Sequence, residues 1–163
     1  GNGFDVSQPG RYLLVGGGIG IPPLIQYGEC LEQPRTAVLG FRTKDKAFPA
    51  ITSRFQDHCE QTYICTDDGT LGRHGFVDAQ VRDILEQDSG YTAILACGPK
   101  PMLRSVAKVA AQFGVPCQVS MEERMGCGVG ACLVCATPMK DGTVKHVCND
   151  GPVFDAEEVD WDA

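Results

Sequence analysis

The sequence predicts an α/β protein: a five-stranded, parallel, doubly wound sheet followed by a small C-terminal cysteine module. Three observations carry this. Short apolar runs alternate with amphipathic helical stretches from Tyr12 to Met121, the pattern of βα units covering both faces of a parallel sheet. Loops rich in Gly, Asp and Pro follow the strands at Gly16–Gly20, Thr66–Thr70 and Cys97–Pro101. These are the carboxyl ends, where open α/β sheets hold ligands. From Glu122 the alternation stops, and Cys127, Cys132 and Cys135 fall in one glycine-rich loop.

Residues 1–10 (GNGFDVSQPG) are polar and glycine-rich and are expected to be a linker. Tyr12–Val15 is the first strand. It runs into Gly16-Gly17-Gly18-Ile19-Gly20, then Pro22-Pro23, then a helical pattern through Leu24, Ile25, Tyr27, Gly28 and Leu31. A strand, a glycine loop and a helix N-terminus make an anion site, because backbone can approach a phosphate and the helix dipole favours negative charge. Proline suits the first helical turn. The G-x-G-x-x-G fingerprint is imperfect, since Pro23 stands where its third glycine belongs. No acidic ribose ligand follows at the usual distance of roughly 20 residues. The second strand, Thr36–Leu39, instead leads to Gly40-Phe41-Arg42, and Arg42 could meet a 2′-phosphate. A tight strand–helix turn would also account for these glycines.

The alternation continues with a helix over 51–59, a strand at Thr62–Cys65 and the turn Thr66-Asp67-Asp68-Gly69-Thr70. Gly75-Phe76-Val77 enters a helix whose apolar face is Val77, Val81, Ile84 and Leu85. Thr92–Ala96 is a buried strand. Cys97-Gly98-Pro99-Lys100-Pro101-Met102 then opens a helix to Phe113, and Val115–Met121 is the fifth strand. Residues 11–121 form the expected nucleotide-binding domain and 122–163 the cysteine module. In that module Leu133–Pro138 and Thr143–Val147 form a hairpin around Lys140-Asp141-Gly142.

Cys127, Cys132 and Cys135 stand at C-x4-C-x2-C spacing, and Cys148 follows. That is the spacing of plant-type [2Fe–2S] ligands. Gly126, Gly128 and Gly130 allow a loop to curl and aim backbone N–H groups at sulfur. Structural zinc also uses C-x2-C, and disulfides or buried thiols are further alternatives. Cys30, Cys59, Cys65 and Cys117 lack metal spacing and are expected to pack; His58, His74 and His146 are isolated. No Ser/His/Asp set or carboxylate pair marks a general acid or base.

The 163 residues suffice for one medium domain and a small appendage. A net charge of −7 and the lack of a basic stripe argue against nucleic acid. No apolar run is long enough to span a bilayer. Nine cysteines fit a reducing compartment, so a cytoplasmic protein is expected.

VGGGIGIPPL (15–24), CGPKPM (97–102), MEERMGCGVGACLVC (121–135) and HVCNDGPVF (146–154) resemble, in this order, the electron-transfer subunits of class 1B dihydroorotate dehydrogenases. Those subunits belong to the ferredoxin–NADP reductase superfamily, and the resemblance covers almost the whole chain. It implies a ferredoxin-reductase-type NAD domain. Gly16, Gly17, Gly18, Gly20 and Pro22 would line the NAD pyrophosphate. Thr66, Asp67 and Asp68 would lie along the dinucleotide, and Cys97 and Gly98 near the nicotinamide. Cys127, Cys132, Cys135 and Cys148 would hold a [2Fe–2S] cluster. The family relays electrons from dihydroorotate, through FMN of a catalytic partner subunit, the cluster and FAD, to NAD⁺ in pyrimidine biosynthesis. Its FAD-binding barrel would precede Gly1, so this chain is expected to hold little of the FAD site and to be inactive alone. Small subunits of ferredoxin:NADP oxidoreductases or sulfhydrogenases share the architecture. A zinc-stabilised nucleotide-binding module is the alternative of a different class.

Overall fold

The computed structural model describes all of residues 1–163. Its main sheet comprises β1 (Tyr12–Gly17), β2 (Arg35–Phe41), β3 (Gln61–Thr66), β4 (Arg73–His74), β5 (Ala93–Cys97) and β6 (Cys117–Ser120). After a separate antiparallel hairpin of β7 (Ala136–Pro138) and β8 (Val144–His146), β9 (Val153–Asp155) returns to the main sheet. The order is β4-β3-β2-β1-β5-β6-β9. The five expected strands are all present and parallel, but the sheet has seven. β4 adds two residues parallel to β3, and β9 adds three antiparallel to β6. Both additions lie at the edges. Neither is long enough to show a period in sequence, and both are held by their neighbours rather than by their own propensity.

β1 and β5 are buried along their whole length, as central strands covered on both faces must be. Alternate side chains divide the core. Tyr12, Leu14, Leu39 and Leu95 meet Leu24 of α1 (Ile21–Cys30) and Phe55 of α2 (Pro49–His58). Leu13, Val15, Val38 and Ile94 meet Val81 of α3 (Val77–Gln87) and Leu103 and Val106 of α4 (Lys100–Phe113). Each such side chain, wholly removed from water, contributes about 1.5–3 kcal/mol before the entropy of ordering is charged against it.

The cysteine module shares this core. Cys135, Met139, Val147, Phe154, Ala156 and Val159 belong to the same buried cluster as α3 and α4. Residues 1–10 contain no helix or strand, yet they are anchored. Phe4 packs edge-on to Tyr27, with ring centroids 5.2 Å apart. Asp5 donates its N–H to Gln118 Oε1 at 2.7 Å and accepts Gln118 Nε2–H at 2.8 Å. Asn2 acts as a short strand surrogate on β9: its amide donates to the Val153 carbonyl at 2.9 Å and accepts the Val153 N–H at 3.0 Å.

Asn2→Ala removes both side-chain bonds and leaves the two backbone groups of Val153 to find water. A loss of about 1–2 kcal/mol is expected, read as a lowered urea midpoint at constant slope. An unchanged midpoint would show that the N-terminal segment does not hold β9.

Candidate functional site

The strand order reverses direction between β1 and β5, so their carboxyl ends diverge at the switch point of the sheet. A cleft of about 410 Å³ opens beside it. Gly17 and Gly18 form one wall, Gly40, Phe41 and Arg42 the next, and Asp67 and Gly75–Asp78 the third. Pro99, Pro101, Met102 and Ser105, from the start of α4, close it.

Of the residues expected along a dinucleotide, Gly17, Gly18 and Asp67 line this cleft. Gly16 lies at the end of β1, covered by Ile21 and Leu24. Pro22 is exposed on the first turn of α1. Gly20 is buried, and a Cβ there would collide with the backbone of Cys97 and Gly98. Gly18 has φ +53 with open space around it, so only its conformation demands glycine. Thr66 is fully buried, and its hydroxyl bridges the carbonyl and N–H of Leu71 at 2.7 and 3.1 Å. Asp68 accepts from the N–H and hydroxyl of Thr70 at 3.1 and 2.6 Å and so is committed to its own turn. Phe76 and Asp78 were not singled out in sequence, because a helix start accounts for both. Their position after a strand end of a parallel sheet was the available signal.

Cys97 ends β5 in register with Gly16 on one side and Ser120 on the other. Burial pushes its thiol up, partly offset by a hydrogen bond with Ser120. Gly98 lines a second cavity of about 370 Å³ with Pro99, Lys100, Leu103, Met121 and Glu122–Arg124. This cavity lies between the strand ends and the entrance to the cysteine loop.

Within the loop, Cys127 Sγ accepts three backbone N–H groups, from Val129 at 3.5 Å, Ala131 at 3.2 Å and Cys132 at 3.4 Å. Gly128 and Gly130 sit at φ +72 and +75, the left-handed turns that aim these groups inward. The bonds, that from Val129 foremost, bring the Cys127 thiol down to about 6. Cys132 lies near enough to Cys127, and Cys135 to Cys148, for each to influence its neighbour's thiol. The Cys135 contact, helped by desolvation, pushes the Cys148 thiol up against the pull of the Gly130 N–H. Four thiols carried by one glycine-turned loop and the hairpin that follows it fit a binuclear centre, in which each iron would take two thiolates. Met125, Val129, Leu133 and Val134 are exposed around the loop.

Residues 122–160 match the iron–sulfur cluster binding domain of dihydroorotate dehydrogenase B. The chain is 45% identical to the dihydroorotate dehydrogenase B (NAD(+)) electron transfer subunit of Geobacillus sp. (strain WCH70), over 98% of this chain and 62% of that protein. It is 38% identical to the corresponding subunit of Caldanaerobacter subterraneus subsp. tengcongensis, over 98% of this chain and 63% of that protein. It thus spans 62–63% of the length of these relatives. An NADH-dependent reduced ferredoxin–NADP oxidoreductase structure, studied for flavin-based electron bifurcation, superposes with a TM-score of 0.80 and 35% identity. That match covers 94% of this chain and 55% of the other. The C-terminal domain of a Pyrococcus furiosus hydrogenase, at 15% identity and a TM-score of 0.54 over 69% of this chain and 91% of its own, shares the fold.

The two loop glycines separate packing from conformation. Gly20→Ala drives a methyl group into β5 backbone that cannot yield and is expected to cost about 2–3 kcal/mol. Gly18→Ala strains one φ and is expected to cost about 1 kcal/mol. Thermal unfolding of the two variants checks the order. Equal losses would mean that the loop does not press on β5.

Proposed function

We propose that this chain, a homologue of the dihydroorotate dehydrogenase B electron transfer subunits over 98% of its length, carries the NAD and cluster sites of an electron-transfer subunit. Residues 11–121 serve as the NAD-binding domain and residues 122–163 as the [2Fe–2S] module. The observation that carries this is the glycine-turned loop that brings three backbone N–H groups onto Cys127 Sγ, close in the chain to a cavity that borders the strand-end cleft. The four cysteines hold the cluster. Gly17 and Gly18 bring backbone to the pyrophosphate of NAD, with Gly16, Gly20 and Pro22 shaping the turn behind them. Asp67 faces the dinucleotide, and Thr66 and Asp68 hold the turn that presents it. Cys97 and Gly98 mark the nicotinamide end.

When bound, FAD would supply the exchange between the two-electron hydride of the nicotinamide and the single electrons of the cluster. This chain's own residues bind and orient, and none acts as a general acid or base. The backbone N–H groups on Cys127 and the one on Cys148 favour added negative charge at the sulfurs, which raises the potential of a site they surround. The exposed apolar side chains of Met125, Val129, Leu133 and Val134 suit burial against an FMN-containing catalytic subunit that oxidises dihydroorotate. None of the nine cysteines is joined in a disulfide, and a cytoplasmic location suits so thiol-rich a chain. The similarity to the reduced ferredoxin–NADP oxidoreductase favours a second partner class, a flavin-dependent NAD(P)H oxidoreductase.

Anaerobically prepared protein is expected to hold two irons and two sulfides per chain, with visible bands that bleach under dithionite. Serine at any of Cys127, Cys132, Cys135 or Cys148 is expected to abolish the bands, whereas Cys30→Ser keeps them. One zinc per chain with no iron uptake on reconstitution would overturn the proposal. Orotate-dependent oxidation of NADH by the complex with its catalytic subunit separates the two partner classes.

A further inference from the structure

The cleft contains a conflict that neither the glycine loop nor the cysteines resolve. Arg42 follows β2, where an arginine ordinarily meets the 2′-phosphate of NADP and an acidic residue the ribose hydroxyls of NAD. Two carboxylates reach the same cleft from other elements, Asp67 from the end of β3 and Asp78 from the first turn of α3. Asp67 is beside the arginine. β2 and β3 run in register to Phe41 opposite Thr66, and the Asp67 N–H donates to the Phe41 carbonyl at 3.1 Å. Arg42 takes part in none of the six ion pairs in the chain. Neither the Asp67 nor the Asp78 carboxylate has a hydrogen-bond donor, whereas Asp68 has two and Asp83 is paired with Arg73.

We infer that Asp67 and Asp78 set the dinucleotide preference of this cleft, accepting the ribose hydroxyls of NAD(H) and repelling the 2′-phosphate of NADP(H) that Arg42 would otherwise hold. The inference rests on the nucleotide site proposed above. The physical grounds are charge and supply of acceptors. One arginine stands against two carboxylates, so an added dianionic phosphate meets net repulsion. The two free carboxylates need donors, and the two hydroxyls of an unphosphorylated ribose provide them. Asp78 also occupies the first turn of α3, where the helix dipole would otherwise favour a bound anion. The acidic residue that the chain lacks after β2 is thus supplied from β3 and α3.

The test is titration of the full chain with NADH and with NADPH, followed by nicotinamide fluorescence, for the natural sequence and for Asp67→Asn, Asp78→Asn and the double substitution. Asparagine keeps the size and removes the charge at two positions on the rim of the cleft. The natural chain is expected to prefer NADH. The double substitution is expected to shift the NADH/NADPH ratio of dissociation constants by about tenfold or more, a free-energy change of about 1.4 kcal/mol, chiefly by tightening NADPH. Adding Arg42→Ala to the double substitution is expected to remove that gain. NADH binding with a ratio that does not move, including equal weakening of both nucleotides, overturns the inference alone. Preference of the natural chain for NADPH overturns it too. Binding of neither nucleotide overturns the site itself and the inference with it.

Discussion

The closeness of the β1–α1 turn to the carboxyl end of β5 governs the rest of the molecule. Gly20 packs against the carbonyl of Cys97 with no room for a side chain. The same approach brings Met102, on the first turn of α4, over both Gly17 and Gly98. Three segments are locked there: the glycine turn, the exit of β5 and the start of α4. Because β1 and β5 are buried on both faces, the sheet can offer backbone to a ligand only at its strand ends. The lock therefore fixes the floor and one wall of the cleft before any side chain contributes.

The cysteine loop inherits this rigidity. It begins directly after β6, and β9 returns to β6 beyond it. Cys135 is 1% exposed and belongs to the core beneath α3 and α4, while Cys127 lies at the surface. One end of the thiol set is thus anchored in the domain and the other faces outward, bordered by Val129 and Leu133 at 73% and 77% exposure. The relay proposed above would need one end inside the protein and one end open to a partner, and this gradient of burial offers both. Residues 2–5, bonded to β9 and to Gln118 of β6, tie the start of the chain to the same edge.

What could be read in sequence was what repeats. β1, β2, β3, β5 and β6 and all four helices are long enough to show a period, and their order dictated a parallel sheet. β4 and β9 span two and three residues, so pairing with neighbours decides them. The cysteine loop was visible through spacing alone. The cleft was visible only in part. A glycine beneath a phosphate and a glycine beneath a carbonyl look alike in sequence, and only the backbone geometry separates Gly18 from Gly20. Thr66 and Asp68 fit a turn and a ligand contact equally well until their partners, Leu71 and Thr70, are known. Phe76 and Asp78 were hidden because a helix start explained them sufficiently.

Spacing left zinc and an iron–sulfur cluster both open, and the arrangement of the loop bears on the choice through charge. Zinc has no redox change, so at a zinc site such donors would offset a fixed thiolate charge, whereas at an iron–sulfur site they would meet a changing one. Here three backbone N–H groups converge on Cys127 Sγ, and the Gly130 N–H pulls the Cys148 thiol down. Donors of this kind matter most where the charge on the sulfurs rises by one electron and falls again. They are fixed by glycine conformations at 128 and 130, so they need not reorganise as the charge changes. A loop built in advance in this way would suit the cluster proposed above, whose charge would rise and fall as electrons pass.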